Sequence, residues 1–215
     1  PLFDPLRRVF NIVALDGRSC GIFGTMQCAG TAYEWVGRQR GSLGPGEKGR
    51  RFNSLNALAA RARPGSEGLV FLPYLMGERT PLWDPKARGA FIGITLSHRR
   101  EEMARAVLEG TAYALRSILD TMAELGVDIT SLRLIGGGVQ SELTRRILAD
   151  VFGKTLRVAT RPAEATAYGA AIAAGIGVGL FKDYTIVKKF LKSSEAEAPV
   201  KAHGAVYDQL YPVFR

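Results

Sequence analysis

The chain of 215 residues is poor in the residue types that build metal sites, staples and nucleophilic triads, with two cysteines and two histidines in all. Cys20 and Cys28 form no Cys-x-x-Cys pair and lie at no metal-ligand spacing from a histidine, which excludes a disulfide framework and a zinc site and points to a reducing compartment. His98 and His203 have no Ser, Cys or Asp in a nucleophilic arrangement around them, so hydrolase chemistry has no support and both read as surface histidines. The most membrane-like stretch, 165–181, falls short of the roughly 18–20 apolar residues of a span and is mainly Ala and Gly, a composition suited to a tightly packed core helix. Neither a Gly-x-Gly-x-x-Gly fingerprint nor a Walker sequence occurs, which leaves a dinucleotide fold and a P-loop unsupported, and there is no internal repeat. The first residue is Pro, and no charged leader with an apolar core follows it, so the sequence reads as one cut from something longer.

What is present is the composition of a globular protein, 47% hydrophobic and 23% charged, enough for one large domain with a real core. The formal charge is +9, which favours acidic small molecules, nucleic acid or anionic surfaces. That charge is dispersed in short clusters such as Arg7-Arg8, Arg145-Arg146 and Lys188-Lys189, without a polybasic run or an aromatic platform. A solvated basic surface is therefore expected, and neither nucleic acid nor membrane is expected as a partner.

Residues 11–15 and 21–26 are β-prone runs on either side of Asp16-Gly17-Arg18-Ser19, which predicts a hairpin. A helix is predicted over 29–40 with Ala32, Trp35 and Val36 on one face, followed by a Gly-rich basic loop over 41–51. A short helix over 54–62, a buried strand over 69–72, a long irregular loop over 73–88 and a strand over 89–95 come next. Ser97 is expected to cap the longest helix, in which Met103, Val107, Ala114, Ile118, Met122 and Leu125 keep the helical repeat until Gly126. Strand 132–135, a Gly136-Gly137-Gly138 triplet, helix 141–152, strand 156–159 and helix 163–175 then alternate, which predicts an α/β sheet with its ligand edge at the strand ends. Beyond 181 the pattern weakens to a helix over 182–191 and a last helix over 203–214, so residues 1–181 are expected to form the domain and 182–215 a helical tail.

The glycine triplet lies between a strand and a capped helix start, where missing side chains let backbone N–H groups and the helix dipole approach a phosphate or nucleotide. Strand-glycine-helix junctions also serve simple tight packing, and the triplet alone does not separate the two. Tyr33, Trp35, Tyr168 and Gly169 read as core packing.

Two stretches carry a resemblance. Gly89, Phe91, Gly93 and Ile94, then seven residues, then Glu102, Met103, Ala106, Val107, Leu108, Glu109 and Gly110 match the signature of the FGGY family of carbohydrate kinases. The segment 72–89, Leu-Pro-Tyr-Leu-Met-Gly-Glu-Arg-Thr-Pro-Leu-Trp-Asp-Pro-Lys-Ala-Arg-Gly, and Leu134-Ile135-Gly136-Gly137-Gly138 look most like the xylulose branch of that family; the resemblance spans 24–181.

The resemblance implies an α/β actin-like, ribonuclease-H-like ATPase domain, a mixed sheet with helices on both faces, similar to the C-terminal one of two such lobes that hold ATP and a sugar between them. It implies that the N-terminal lobe is absent, and with it the catalytic aspartate of a Gly-Asp segment; no catalytic or metal-binding residue is expected in this chain. By the same resemblance Gly136, Gly137 and Gly138 match the glycine loop against the nucleotide, and Ser141 matches the position that approaches adenine, while Val139 and Gln140 stand where the branch commonly has Ala and Lys or Arg. Thr95 and Ser97 match the turn bordering the nucleotide, with a strand end and a helix cap as their other reading. Glu78, Arg79 and Thr80 either organise a loop facing the cleft or form an ion-paired turn, and Glu109 reads as a structural carboxylate rather than a catalyst. The expected activity is ATP- and Mg²⁺-dependent phosphorylation of D-xylulose at its 5-hydroxyl in the cytoplasm, with the fragment inactive without its N-terminal lobe. Gluconate or ribulose kinases of the same family and a non-catalytic actin-like sensing or assembly module are the alternatives, and a homodimer is a further partner left open.

Overall fold

In the computed structural model, residues 2–38, 48–190 and 193–215 are described. The chain opens with an antiparallel hairpin, β1 (Phe10–Val13) against β2 (Cys20–Phe23), with Phe10 opposite Phe23. Its turn is held by Asp16, whose carboxylate accepts from the Ser19 hydroxyl at 2.6 Å and from the Ser19 and Arg18 N–H groups at 2.9 Å. Those donors favour the charged carboxylate and draw its pKa down to about 2.

Helices α1 (Gly30–Arg38) and α2 (Lys48–Ala59) follow. The core face of α1 is formed by Ala32, Tyr33 and Gly37 rather than around Trp35. The indole is 38% exposed and stacks along the Phe71 ring at 6.5 Å, so one of its faces stays in water. Helix α2 begins before the position expected for it, taking in 48–51 that read as loop; the rest of that loop, 41–47, lies outside the described residues.

Strand β3 (Val70–Leu72) pairs antiparallel with β4 (Ala90–Ile92), and the long helix α3 (Arg100–Glu124) lies across β3. The stretch from Ala104 to Gly110 is buried on every side, with α1, α2, α4 (Glu142–Phe152) and α7 (Lys201–Phe214) packed around the same helix. Gly110 is required at the crossing, because a Cβ there would collide with the Phe71 carbonyl oxygen. Ser97 does not cap α3. The helix starts three residues later, where the Glu102 carboxylate accepts the Arg99 N–H at 2.8 Å and satisfies a donor that has no partner within the helix.

The remaining strands form a mixed sheet in the order β5 (Leu132–Leu134), β6 (Leu156–Ala159), β7 (Ser193–Glu197), with β5 parallel and β7 antiparallel to β6. Helix α4 (Glu142–Phe152) crosses over between β5 and β6 and ends at Gly153 in the left-handed conformation. Helix α5 (Ala165–Gly177) departs from the core helix that its Ala and Gly predict. Only Ala165, Ile172 and Gly175 are buried, and its main neighbours are the short 184–190 segment, which ends in α6 (Val187–Phe190). Gly169 is exposed, and Tyr168 stacks on Phe190 at 6.2 Å and accepts a hydrogen bond from Arg161 at 2.8 Å.

Residues beyond 181 are not a uniformly helical tail. Strand β7 pairs with the edge of β6, and helix α7 (Lys201–Phe214) buries Tyr207, Tyr211 and Phe214 against Tyr113 of α3. The start of α7 is fixed by buried Asp150, which accepts the Val200 N–H at 2.6 Å and bonds His203 Nδ1 at 2.9 Å, so His203 is an anchor rather than a free surface group.

Candidate functional site

Three groups of residues singled out in the sequence occupy three loops, and among the described residues no hydrogen bond joins one group to another. The glycine turn leaves β5 at exposed Ile135. Gly136 adopts φ 100°, a conformation that an L side chain rarely takes, and donates its N–H to the Pro162 carbonyl at 2.6 Å. A tight turn over Gly137–Gln140 follows, Val139 is buried beneath it, and Arg145 donates to the Val139 and Gln140 carbonyls at 3.0 and 3.1 Å. Ser141 caps α4, its hydroxyl accepting the Thr144 N–H at 3.3 Å.

A Cβ placed on Gly136, Gly137 or Gly138 would meet nothing within 4 Å. Tight packing therefore does not explain these glycines, whereas Gly110 and Gly24, whose Cβ positions are filled by other atoms, show what packing glycines look like in the same molecule. The turn presents bare backbone at the positive end of an 11-residue helix, which suits an anionic ligand. A nucleotide's phosphates and sugar fit such a cradle, and the residues present are consistent with that group.

The second group is the turn after β4. Thr95 Oγ1 and Ser97 Oγ are 2.8 Å apart, and both residues are exposed. His98 closes the turn, its Nδ1 accepting the Thr95 N–H at 2.8 Å, with Nε2 3.3 Å from the Glu67 carbonyl. His98 was legible as a partner of Thr95 only through its position three residues on, the spacing at which a side chain reaches back to a turn N–H.

The third group, Glu78, Arg79 and Thr80, divides. Thr80 is buried and pairs with Thr25 through backbone and side chain, its hydroxyl accepting the Thr25 N–H at 3.1 Å and its own N–H donating to the Thr25 carbonyl at 3.0 Å. Glu78 is 5% exposed and accepts the Gln27 and Arg79 N–H groups at 2.7 Å through Oε1, while its Oε2 is buried without a partner. Burial drives its pKa upward against the pull of those two N–H groups. The same carboxylate and above all burial push the Tyr74 hydroxyl to about 12. Among the described residues Arg79 forms no ion pair, so the segment is not an ion-paired turn, and only Arg79 of the three faces water.

Glu109 is wholly engaged. It accepts the Gly65 N–H at 3.0 Å, the Ser66 hydroxyl at 2.7 Å, Arg105 Nε at 2.7 Å and the Tyr207 hydroxyl at 2.8 Å. Arg105 completes the cluster through the Ala62 carbonyl and the Tyr207 oxygen, and Glu109 and Tyr207 keep its guanidinium charged despite burial. This is a structural carboxylate, with both oxygens held by partners inside the fold.

These features define an α/β domain of the actin-like ATPase class, the fold of the sugar kinases it superposes on. Residues 11–178 match the family described as the FGGY family of carbohydrate kinases, C-terminal domain, and the chain belongs to that family. It is 32% identical over 220 residues to a gluconokinase of Bacillus subtilis, covering 100% of this chain and 42% of that one. It is 38% identical over 164 residues to a xylulose kinase of Staphylococcus epidermidis, covering 76% of this chain and 33% of the relative. The crystal structure of xylulose kinase from Rhodospirillum rubrum superposes with a TM-score of 0.79 at 33% identity over 98% of this chain and 41% of that one. The chain thus spans less than half the length of these relatives.

Proposed function

We propose that this chain is the nucleotide-binding lobe of an ATP-dependent sugar kinase whose catalytic aspartate and most of whose sugar contacts come from an N-terminal lobe. The observation that carries the reading is the open space over Gly136, Gly137 and Gly138 at the start of α4. In this reading the three glycines lie against the nucleotide, Ser141 approaches its base, and Thr95 and Ser97 border it. Phosphoryl transfer depends on positioning and on stabilising charge rather than on covalent chemistry, so a lobe of backbone donors and hydroxyls supplies half of the machinery without an acid-base pair. Mg²⁺ would accompany the nucleotide and neutralise its β- and γ-phosphates, and no side chain of this chain is assigned to it. Arg79 faces the sugar side of the cleft, with Glu78 and Thr80 holding its loop on the 25–27 segment. A cytoplasmic location is part of this reading, supported by two cysteines that form no disulfide framework; among the described residues no helix is long and apolar enough to cross a membrane.

The preferred acceptor is the 5-hydroxyl of D-xylulose, supported by the 72–89 segment and the 38% identity to a xylulose kinase. Gluconate is the second reading, favoured by the alignment of a gluconokinase along the whole chain. Titration of ADP into this chain by calorimetry tests the nucleotide site, with Gly137→Asp as the control. Wild-type binding weakened at least about tenfold by the introduced carboxylate is expected, and equal binding by both overturns the assignment. A coupled ADP-release screen of pentuloses and hexonates with a chain carrying both lobes decides the sugar.

A further inference from the structure

We infer that His98 is a positioning residue for the nucleotide, acting by clamping the Thr95–Ser97 turn to a second turn at 65–68 that is itself tied to the C-terminal helix. The inference rests on the reading above that Thr95 and Ser97 border the nucleotide.

Thr95 and Ser97 stand on an exposed turn after a three-residue strand, and neither caps α3. His98 Nδ1 lies 2.8 Å from the Thr95 nitrogen and 3.0 Å from its hydroxyl oxygen. Accepting the N–H requires a bare Nδ1, so the ring proton sits on Nε2 and points to the Glu67 carbonyl 3.3 Å away. One tautomer thereby satisfies both ring nitrogens and spans the two turns. The two turns also lie close together at Gly93, where a Cβ would come 3.1 Å from the Gly68 carbonyl oxygen.

The turn that His98 grips is not free to move. Ser66 and Glu67 have φ 48° and 54°, the left-handed region that side-chain-bearing residues rarely occupy, between Gly65 and Gly68 in the same region. Glu109 holds them there through the Gly65 N–H and the Ser66 hydroxyl. Gly65 lies so close to α7 that a Cβ would come within 2.5 Å of Val206. Tyr207 of α7 donates to Glu109 and accepts from Arg105. Buried polar contacts therefore run from α7 through α3 to the 65–68 turn, and from that turn the exposed His98 contacts lead on to the two hydroxyls that border the nucleotide in this reading.

The test compares ADP affinity and amide exchange in His98→Leu, His98→Asn and Tyr207→Phe forms of this chain. Leucine removes both polar contacts, whereas the asparagine carbonyl oxygen stands near the place of Nδ1 and can accept the Thr95 N–H. Binding by His98→Leu is expected to weaken about tenfold and binding by His98→Asn by at least about threefold, because asparagine keeps the Thr95 bond but has no nitrogen in the place of Nε2 to reach Glu67. Exchange at the Thr95 amide should rise in the leucine form alone, and both variants should melt within about 2 °C of wild type, because a purely structural loss would lower both. Tyr207→Phe, at the far end, should weaken binding about twofold. If His98→Leu binds ADP as tightly as wild type, or if His98→Asn does, so that the contact to Glu67 plays no part, the clamp is wrong while the nucleotide site stands. If the wild-type chain binds no ADP, the nucleotide reading fails and this inference falls with it.

Discussion

Around α3 the molecule buries charge, and around α5 it exposes hydrocarbon. In the first region Arg105 and Glu109 sit almost out of water with every polar atom of Glu109 engaged. In the second, a helix made mainly of Ala, Gly and Ile keeps most of its surface in solvent, and Val178 and Leu180 beyond it are 82% and 72% exposed. The contrast teaches that hydropathy does not assign burial here. The α3 side is closed by an internal network of groups with no ligand to await, while the loops and helix beyond β5 leave backbone and apolar atoms without neighbours among the described residues.

The largest effect should come from breaking the closed side. Glu109→Ala strands a buried guanidinium and the strained 65–68 turn, and should cost about 3–5 kcal/mol in chemical denaturation, the range for removing one partner of a buried pair. A loss under about 1 kcal/mol would mean that the network contributes little to folding.

A pair of glycine substitutions sharpens the same contrast. Gly110→Ala forces a methyl group into the Phe71 carbonyl and should destabilise by about 1–3 kcal/mol, whereas Gly137→Ala enters open space and should stay within about 0.5 kcal/mol of wild type. Equal melting temperatures for the two would show that the difference between the filled and the open region is not real.

The smallest effect concerns Glu78, a buried carboxylate without the cation that Glu109 has. Its pKa is raised in the folded state, so the native protein holds a proton that the unfolded chain has already released above the ordinary value of 4.5. Stability should therefore fall as pH rises from 4.5 through the elevated pKa, and stay lower above it. Glu78→Gln should flatten that part of the stability–pH curve and gain on the order of 1 kcal/mol at neutral pH, while keeping an oxygen for the Gln27 and Arg79 N–H groups. A variant curve parallel to that of wild type would remove Glu78 as the titrating group.

Helices α3, α4 and α7 and strand β6 were legible in the sequence, because each carries its own repeat and a stop such as Gly126 or Gly153. Strand β7 was not. Ser-Ser-Glu-Ala-Glu has no β-branched or aromatic residue, and its conformation comes from the backbone edge that β6 offers it. The small residues of α5 signalled close packing, but composition does not say whether a packing partner lies within the same described fold. In the candidate site, the glycine triplet and Ser141 announced themselves by position between strand and helix. His98 gave half a signal: Thr95 is three residues away, but Glu67 is 31 residues upstream and is delivered only by the pairing of β3 with β4. The division of the 78–80 segment was also hidden, since both inward-facing residues take their partners from 25–27, about fifty residues earlier in the chain.

Helix α7 sets the order in which this protein can acquire its shape. Tyr207, Tyr211 and Phe214 complete an aromatic cluster with Tyr74 and Tyr113, both made about a hundred or more residues earlier. During synthesis the surface of α3 that faces this cluster must therefore wait, uncovered, until α7 has been made.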